Sequence, residues 1–244
     1  MNDTPSSDTP LTFVTCVSDI EVFRRYLLTS PCIAQGRRPV QAFFNARSAA
    51  QAFNSAMAAA SEGTWLVWVH QDVLLPDNWD TVFLQCLVNG RKQFPRMAVA
   101  GVYGLSGSGL SACRAGHVLD RGTLLREPAA LPCVVDSLDE LLFAVQKGHG
   151  LRLDPALGFD FYATDLVLQA QALGLQSLAV DAYCEHWSST PTGPVIPSSL
   201  ARRISNSGAV FETKWVHRLP VQTSWLTVEQ PGDVDRFLAQ FERR

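Results

Sequence analysis

"WLVWVHQDVLLPDNW", the stretch from Trp65 to Trp79, decides the fold, because an apolar run ends abruptly at an imidazole, an amide and a carboxylate. A short, almost purely apolar run predicts a strand that is buried on both faces of a sheet. The polar side chains of His70, Gln71 and Asp72 then stand at the carboxyl end of that strand. Ligands of open parallel sheets bind beyond the carboxyl ends of the strands, so the stretch predicts a binding site as well as a sheet.

The composition is that of a globular protein. The chain has 244 residues, of which 47% are hydrophobic and 18% charged, so a large core is expected and extensive disorder is not. The net charge of −3 lacks the basic excess of nucleic-acid-binding proteins, and we expect no nucleic-acid partner. The six cysteines stand singly, without a CxxC pair, which favours reduced thiols over a zinc ribbon or a redox motif.

The ends of the chain differ from its centre. Residues 1–10 are polar and contain two prolines, which predicts a disordered tail rather than a signal peptide. We expect residues 11–244 to form a single domain, within which the proline-rich residues 190–220 form a mobile flap. No apolar run in the sequence is long enough to cross a bilayer. The predicted location is the cytoplasm, and a peripheral contact with the inner membrane stays open.

Strands and helices alternate over the first hundred residues. Apolar, β-branched runs predict strands at 11–17, 40–44, 64–69 and 97–104, and amphipathic or Ala-rich segments predict helices between them. This alternation, with strands that are apolar on both faces, is typical of a mostly parallel sheet with helices on each side. The predicted class is therefore α/β.

Four further elements are predicted in the second half of the chain. The segment "AGHVLDRGTLL" (115–125) suits a hairpin within a long loop. In "VDSLDELLFAVQKG" (135–148), Ser137 and Glu140 have the spacing of a capping box, which predicts a helix. The segment "ATDLVLQAQALG" (163–174) predicts another helix, and "QSLAVDAYCEHW" (176–187) predicts a strand with a polar end.

Polar side chains follow three predicted strands at their carboxyl ends. Asn45 follows the second strand, His70 and Asp72 follow the third, and His186 ends the last. Residues two apart in a strand point to one side, so His70 and Asp72 can hold a divalent metal if a further ligand such as His186 lies near. The alternative left open is structural: Asp72 caps a turn and the histidines pack in the core.

Three motifs carry a family resemblance. The segments "AFNSAMAAASEGTWLVWVHQDVLLPDNW" (52–79), "GFDFYATDLVLQAQALG" (158–174) and "CEHWSS" (184–189) resemble family-2 glycosyltransferases of the GT-A fold in their order and separations. The first resembles more closely a bacterial subgroup that reads HQDV where other members read Asp-x-Asp. The resemblance spans residues 11–189. It implies a GT-A-like domain with a Rossmann-like nucleotide-binding half and an acceptor half.

The resemblance also implies an activity. A sugar would pass, with inversion, from a nucleotide-diphosphate donor to an acceptor hydroxyl, assisted by Mn²⁺ or Mg²⁺. The acceptor stays open between a glycan, a lipid-linked glycan and a protein. One alternative is a GT-A-like module that binds a nucleotide or a partner protein without transfer, because His70 replaces a family aspartate. A metal hydrolase is disfavoured by the lack of a HExxH motif.

The matched motifs assign roles to single residues. Asp72 and His186 match metal ligands. Asp165 matches the general base, and it lies in the first turn of its helix, where the dipole favours an ionised carboxylate. An aspartate there equally serves stability alone. His70 either binds the metal or bonds a ribose or phosphate oxygen. The candidates for binding the nucleotide or the donor sugar are Asn45, Asn54, His70, Gln71, Asp136, Asp139 and Lys214.

Some of these candidates rest on physical arguments that leave alternatives. Asn54 lies in an apolar helix, where an amide is costly unless it is paired. Asp136 and Asp139 could contact donor or acceptor hydroxyls, and Asp139 equally suits a first-turn charge. The basic residues of the predicted flap, among them Arg203 and Lys214, either close over the diphosphate or are solvated surface charges.

Overall fold

The computed structural model describes residues 9–107, 111–188 and 195–243, without the side chain of Arg243. The strands are β1 (Leu11–Val17), β2 (Val40–Phe44), β3 (Trp65–Val69), β4 (Val73–Leu74), β5 (Met97–Gly101), β6 (Tyr103–Ser106), β7 (Cys113–Asp120), β8 (Thr123–Arg126), β9 (Cys133–Val134), β10 (Ser137–Leu138), β11 (Leu142–Gln146), β12 (Gln176–Ala179), β13 (Cys184–His186), β14 (Val195–Ile196), β15 (Val221–Gln222), β16 (Thr227–Val228) and β17 (Glu242–Arg243). The α-helices are α1 (Ile20–Arg25), α2 (Pro31–Ala34), α3 (Ala49–Ala59), α4 (Trp79–Gln93), α5 (Tyr162–Ala172), α6 (Ser198–Trp215) and α7 (Asp233–Leu238). Within this part of the chain, no helix is both long and apolar enough to cross a bilayer.

The central sheet has the strand order β2-β1-β3-β11-β5-β12-β9. Strands β2, β1 and β3 are parallel neighbours. Strand β11 is antiparallel to both β3 and β5, so β5 runs in the direction of β3, as does β12, which is parallel to β5. Five of the seven strands therefore share one direction, which confirms the predicted, mostly parallel sheet. The carboxyl ends of β1, β2 and β3 meet at one edge.

Helices cover both faces of the central sheet because successive residues of its strands point to opposite sides. Val67 of β3 packs in one buried cluster with Phe83 of α4. Its neighbour Trp68 packs in a second cluster with Phe53 of α3 and Leu166 of α5. This two-sided burial explains why the strand is apolar at every position, and it confirms the predicted α/β class.

The helix predicted over residues 135–148 is wrong. These residues form β10 and β11, and β11 lies between β3 and β5 in the central sheet. Ser137 donates or accepts a hydrogen bond with Thr164 Oγ1 at 2.8 Å instead of capping a helix. The apolar run from Leu141 to Val145 is fully buried, and five residues suit a central strand better than a helix. Strand pairing thus overrides the local capping signal.

A second sheet, of order β10-β6-β7-β13-β4, carries further parts of the site. Strand β8 pairs with β7, which confirms the predicted hairpin. Strands β7 and β13 are parallel, and their register places Asp120 beside His186. Strand β13 also pairs with β4, where His186 lies opposite Val73. These pairings bring His186 next to the residues that follow β3.

The predicted flap contains regular structure. Residues 198–215 form α6, and its apolar residues Ala201, Ile204 and Phe211 are buried in a third cluster with Leu157, which ends a short 3-10 helix before α5. Helical spacing of these residues drives the packing, so this part of the predicted flap is packed against the rest of the domain. Its mobility stays a prediction. Residues 189–194 of this region and residues 1–8 of the predicted tail lie outside the described residues.

Candidate functional site

A cavity of about 700 Å³ opens at the edge where β1, β2 and β3 end. Its walls combine these strand ends with the start of β11, the ends of β7 and β13, and residues of α5 and α6. The polar and aromatic residues that matter below are Ser18, Asn45, His70, Gln71, Asp72, Asp120, Asp139, Glu140, Asp160, Tyr162, His186, Arg203 and Trp225. The position agrees with the general rule for ligands of parallel sheets.

His70, Asp72 and His186 form the cluster that the strand ends predict. One potential ligand atom from each lies within 4.8 Å of the other two. His70 and Asp72 belong to the turn after β3, which is closed by a hydrogen bond from the backbone nitrogen of Val73 to the His70 carbonyl oxygen, whereas His186 arrives through the pairing of β13 with β4. Nitrogen and carboxylate ligands at this separation can surround one divalent cation.

Asp120 orients His186. The Nδ1 atom of His186 lies 2.8 Å from Asp120 Oδ1, and Nε2 lies 3.4 Å from Asp72 Oδ1. Burial alone would lower the pKa of His186, but the two carboxylates outweigh it and raise that pKa to about 9. The Nε2 atom is buried, and its contact with Asp72 does not have hydrogen-bond geometry. His186 is protonated at neutral pH in the metal-free protein, so a cation bound at Nε2 would displace that proton. A carboxylate on one ring nitrogen and an unpartnered second nitrogen is the usual arrangement of a metal-binding histidine.

His70 is held by a hydrogen-bond chain. Its Nε2 lies 3.1 Å from the hydroxyl of Tyr162, and the same hydroxyl accepts a hydrogen bond from Trp68 Nε1 at 3.1 Å. The Tyr162 hydroxyl donates to the carbonyl oxygen of Glu140 at 3.4 Å. Burial and the neighbouring His186 lower the pKa of His70 to about 4. The imidazole is therefore neutral at neutral pH, the state in which histidine binds metals.

Asn45 and Gln71 both line the cavity, but the Gln71 amide is already engaged in hydrogen bonds with the loop after β1. Asn45 has a φ of 55°, a left-handed conformation that asparagine adopts more readily than most residues. Gln71 Oε1 accepts from the backbone nitrogens of Ser18 and Asp19, and its Nε2 donates to Ser18 Oγ at 2.9 Å. The Gln71 amide therefore fixes the loop after β1, and because Gln71 also lines the cavity, its contact with the donor stays a prediction.

Asn54 and Asp136 do not line the cavity. Asn54 donates to the carbonyl oxygen of Leu153 and accepts from its backbone nitrogen, at 2.8 and 3.0 Å. Asp136 accepts from the backbone nitrogen of Gly107 and from Gln171 Nε2. Both side chains are paired within the fold, so their predicted contact with the donor is corrected.

The side chains of Asp165 and Lys214 are also bonded to other residues of the fold. Asp165 is 0% exposed, and its Oδ1 accepts from Trp215 Nε1 at 2.8 Å and from Lys214 Nζ at 2.7 Å. Lys214 Nζ also lies 2.7 Å from Asp154 Oδ2. These contacts fasten the end of α6 to the start of α5. No acceptor hydroxyl can reach a carboxylate so enclosed, and the predictions of a base at Asp165 and a donor contact at Lys214 are corrected.

The sequence did not identify several residues of the cavity. Asp160 accepts from Arg203 at both oxygens, at 2.9 and 3.0 Å, and it is buried while Arg203 is half-exposed. Of the basic residues in the predicted flap, Arg203 reaches the cavity and Lys214 does not. Asp120, at the end of β7, and Trp225, between β15 and β16, also come from segments that are far along the chain from β1, β2 and β3. No local pattern marks these residues, because their position depends on pairing and packing across the chain.

The comparisons with known proteins support the fold. No protein-family model matches the sequence. The chain is 30% identical over 140 residues to "ATP synthase subunits region ORF 6" of Fuscovulum blasticum, a match that covers 54% of this chain and about half (54%) of that protein. Its structure is similar to the mannosyltransferase PcManGT from Pyrobaculum calidifontis in complex with GDP-Man and Mn²⁺, with a TM-score of 0.50 and 10% identity over 97% of this chain and 70% of the other. This likeness shows a shared fold, the predicted GT-A-type α/β fold.

Proposed function

We propose that the protein is an inverting glycosyltransferase that moves a sugar from a nucleotide-diphosphate donor to an acceptor hydroxyl. The observation that carries the proposal is the cluster of His70, Asp72 and His186 in a large cavity at the carboxyl edge of a GT-A-type sheet. Transfer of this kind needs the leaving diphosphate to be neutralised, the acceptor to lose a proton and the two substrates to be held in line. Residues suited to the first two needs line the cavity.

The cluster fits a divalent metal. The buried Nε2 of His186 has no hydrogen-bond partner among the described residues, and Asp72 supplies a carboxylate oxygen beside it. Tyr162 accepts from Trp68 and donates to Glu140, and in the tautomer of His70 that carries its proton on Nε2, the Tyr162 oxygen also accepts from His70. This leaves the Nδ1 lone pair of His70 for the metal, and His70 joins Asp72 and His186 as a ligand.

The ligand types favour Mn²⁺ over Mg²⁺. Two imidazole nitrogens and one carboxylate suit a borderline cation, whereas Mg²⁺ prefers oxygen ligands alone. A bound cation would supply positive charge for the diphosphate as it leaves. The chain's own part is to keep His70 neutral, through its lowered pKa, and to hold the His186 ring by Asp120.

Asp139 is the best-placed base in the cavity. Its Oδ1 accepts from the backbone nitrogen of Leu141 at 3.0 Å, and the residue lines the cavity beside the His70–Asp72–His186 cluster. Asp72 and Asp120 contact His186, and Asp160 bonds to Arg203. Burial raises the pKa of Glu140, which favours its protonated form and makes it a poor proton acceptor. Asp139 thus takes the role that the sequence assigned to Asp165: it accepts the proton of the attacking hydroxyl.

The nucleoside belongs at the ends of β1 and β2. These two strands lie on one side of β3 in the sheet order, and their ends bring Ser18 and Asn45 to the cavity. The Asn45 amide can both donate to and accept from a base or ribose. A diphosphate at the His70–Asp72–His186 cluster then points the donor sugar away from β1, toward the start of β11.

A screen of nucleotide sugars tests the activity. The purified protein is incubated with UDP- and GDP-sugars and Mn²⁺, and the release of nucleoside diphosphate is measured with candidate glycan acceptors. We expect release from one donor class in the parent and a fall of about 10²–10⁴-fold for Asp139→Asn. Nucleotide binding without any release in the parent would indicate instead a GT-A-like binding module.

A further inference from the structure

Trp225 is held at the mouth of the cavity by a fixed turn. The turn joins β15 and β16, and the buried Thr223 organises it. The Thr223 hydroxyl accepts from the backbone nitrogens of Trp225 and Leu226, at 3.2 and 3.1 Å, and donates to the Leu226 carbonyl at 2.8 Å. These bonds fix the backbone that carries Trp225, which lowers the entropy cost of binding a ligand there.

The indole ring of Trp225 is backed on the protein side and open toward the cavity. Its ring centroid lies 5.9 Å from that of Phe161, which in turn stacks on Phe211 at 5.1 Å. Phe161 is 5% exposed, whereas Trp225 is 42% exposed and lines the cavity. The contact with Phe161 is tilted by 49° and holds one side of the indole, and a half-exposed aromatic ring at a cavity is a suitable surface for a flat, apolar part of a ligand.

Trp225 lies on the side of the cluster away from the nucleoside. Along the sheet edge, the ends of β2 and β1 are followed by the end of β3 with His70 and Asp72, and then by the start of β11. Glu140 lies two residues before β11, and Glu140 and Trp225 line one small hollow next to the main cavity. A ligand that contacts Trp225 is therefore separated from the ends of β1 and β2 by the metal cluster.

Arg203 adds polar groups to this side. Its Nε and Nη2 bond to Asp160, yet the side chain is 48% exposed and lines the same cavity as Trp225. The Asp160 contact fixes the guanidinium plane without covering it. A sugar ring has the complementary chemistry, since it combines an apolar C–H face with hydroxyls at its rim.

We propose that Trp225 and Arg203 form a subsite that binds a sugar ring of the acceptor, so that the acceptor is a carbohydrate rather than a protein side chain. The role of this sugar as the acceptor rests on the proposed transferase function, whereas the binding of a sugar by Trp225 and Arg203 does not depend on that function. Trp225 supplies the stacking face, and Arg203 supplies hydrogen-bond donors to the hydroxyls.

The test is direct binding of sugars to the intact protein with Mn²⁺ and a nucleoside diphosphate present. Saturation-transfer NMR is run with methyl glycosides of glucose, galactose, mannose and N-acetylglucosamine and with their disaccharides. We expect at least one to bind, and Trp225→Ala to weaken it by about tenfold or more, the usual effect of losing one stacked aromatic ring. Trp225→Phe should retain part of the affinity. Leu173→Ala is the matched control, since Leu173 is an exposed apolar residue at the end of α5, outside the cavity lining.

Calorimetric titrations of UDP and GDP on the same variants separate the outcomes. Unchanged nucleotide affinity in Trp225→Ala, with weaker sugar binding, supports the subsite. A tenfold loss of nucleotide affinity would place the nucleobase on Trp225 and overturn it, as would a parent protein that binds nucleotide but none of these sugars. If the parent binds sugar through Trp225 but no nucleotide, the subsite stands and the proposed transferase function fails.

Discussion

Asp120 Oδ1 lies 2.8 Å from Nδ1 of His186, and this contact turns the second ring nitrogen of His186 toward Asp72. The two residues end parallel neighbouring strands, where they lie opposite each other in the register. Asp120 would not itself bind the metal; it fixes the tautomer and the direction of a residue that does.

Removal of Asp120 should weaken metal binding without removing a ligand. We expect Asp120→Ala to lower the affinity for Mn²⁺ by about 10–100-fold, because the His186 ring loses its orientation. The control is Asp181→Ala, which breaks a similar contact, of 3.3 Å, between an exposed aspartate and His117. Titration calorimetry with Mn²⁺ measures both variants, and equal affinities for the two would contradict the role given to Asp120.

Asp165 should matter for stability and not for proton transfer. Asp165→Asn removes the negative partner of Lys214 from a fully buried position, so we expect the free energy of unfolding to fall by about 1.5–3 kcal/mol. Asp154→Asn, which removes the more exposed partner of the same lysine, should cost less, about 1 kcal/mol at most. Urea unfolding measures both. A variant Asp165→Asn that keeps full stability but loses transfer would restore Asp165 as the base.

Glu140 should make the stability of the protein depend on pH. Burial, with the carboxylates of Asp160 and Asp139 nearby, raises the pKa of Glu140 well above 4.5, although Arg203 opposes this. The folded protein then keeps a proton that the unfolded chain releases. The free energy of unfolding therefore falls as the pH rises above 4.5, until the folded pKa is passed.

Glu140→Gln should remove this pH dependence, because the amide copies the neutral carboxyl and cannot ionise. As the pH rises, the free energy of unfolding of the variant should exceed that of the parent by a margin that grows by at most about 1.4 kcal/mol per pH unit. Urea unfolding at several values between about pH 5 and pH 8 measures it. The exposed Glu21→Gln serves as the control, and parallel curves for Glu140→Gln and the parent would show that Glu140 ionises normally.

The sequence predicts the fold where the local pattern and the tertiary environment agree. Strand β3 is apolar at every position because both faces are covered, and the same rule identified β1 and β2. The rule failed at 135–148, where the spacing of Ser137 and Glu140 indicated a helix. The deciding interaction there is the pairing of β11 with β3 and β5, which involves residues far away in the sequence.

The sequence predicts the part of the site that directly follows the end of β3. His70 and Asp72 are close because both follow the end of β3 in one turn, and the polar end of the last predicted strand, together with the family resemblance, indicated His186. Asp120 and Trp225 depend on strand register and on a distant turn, for which the sequence has no local signal. Asp165 shows the reverse problem, since an aspartate in the first turn of a helix looks the same whether it faces a substrate or, as here, Trp215.

Nucleotide binding in the presence and absence of Mn²⁺ tests the central claim most directly. UDP and GDP are titrated by calorimetry into the parent protein and into Asp72→Asn, with thermal unfolding as a check that both are folded. We predict that Mn²⁺ strengthens the binding of one of the two nucleotides to the parent by about tenfold or more, and that Asp72→Asn loses this gain. Nucleotide binding that is the same with and without Mn²⁺, or the same gain in Asp72→Asn, would contradict a metal-assisted nucleotide site at His70, Asp72 and His186.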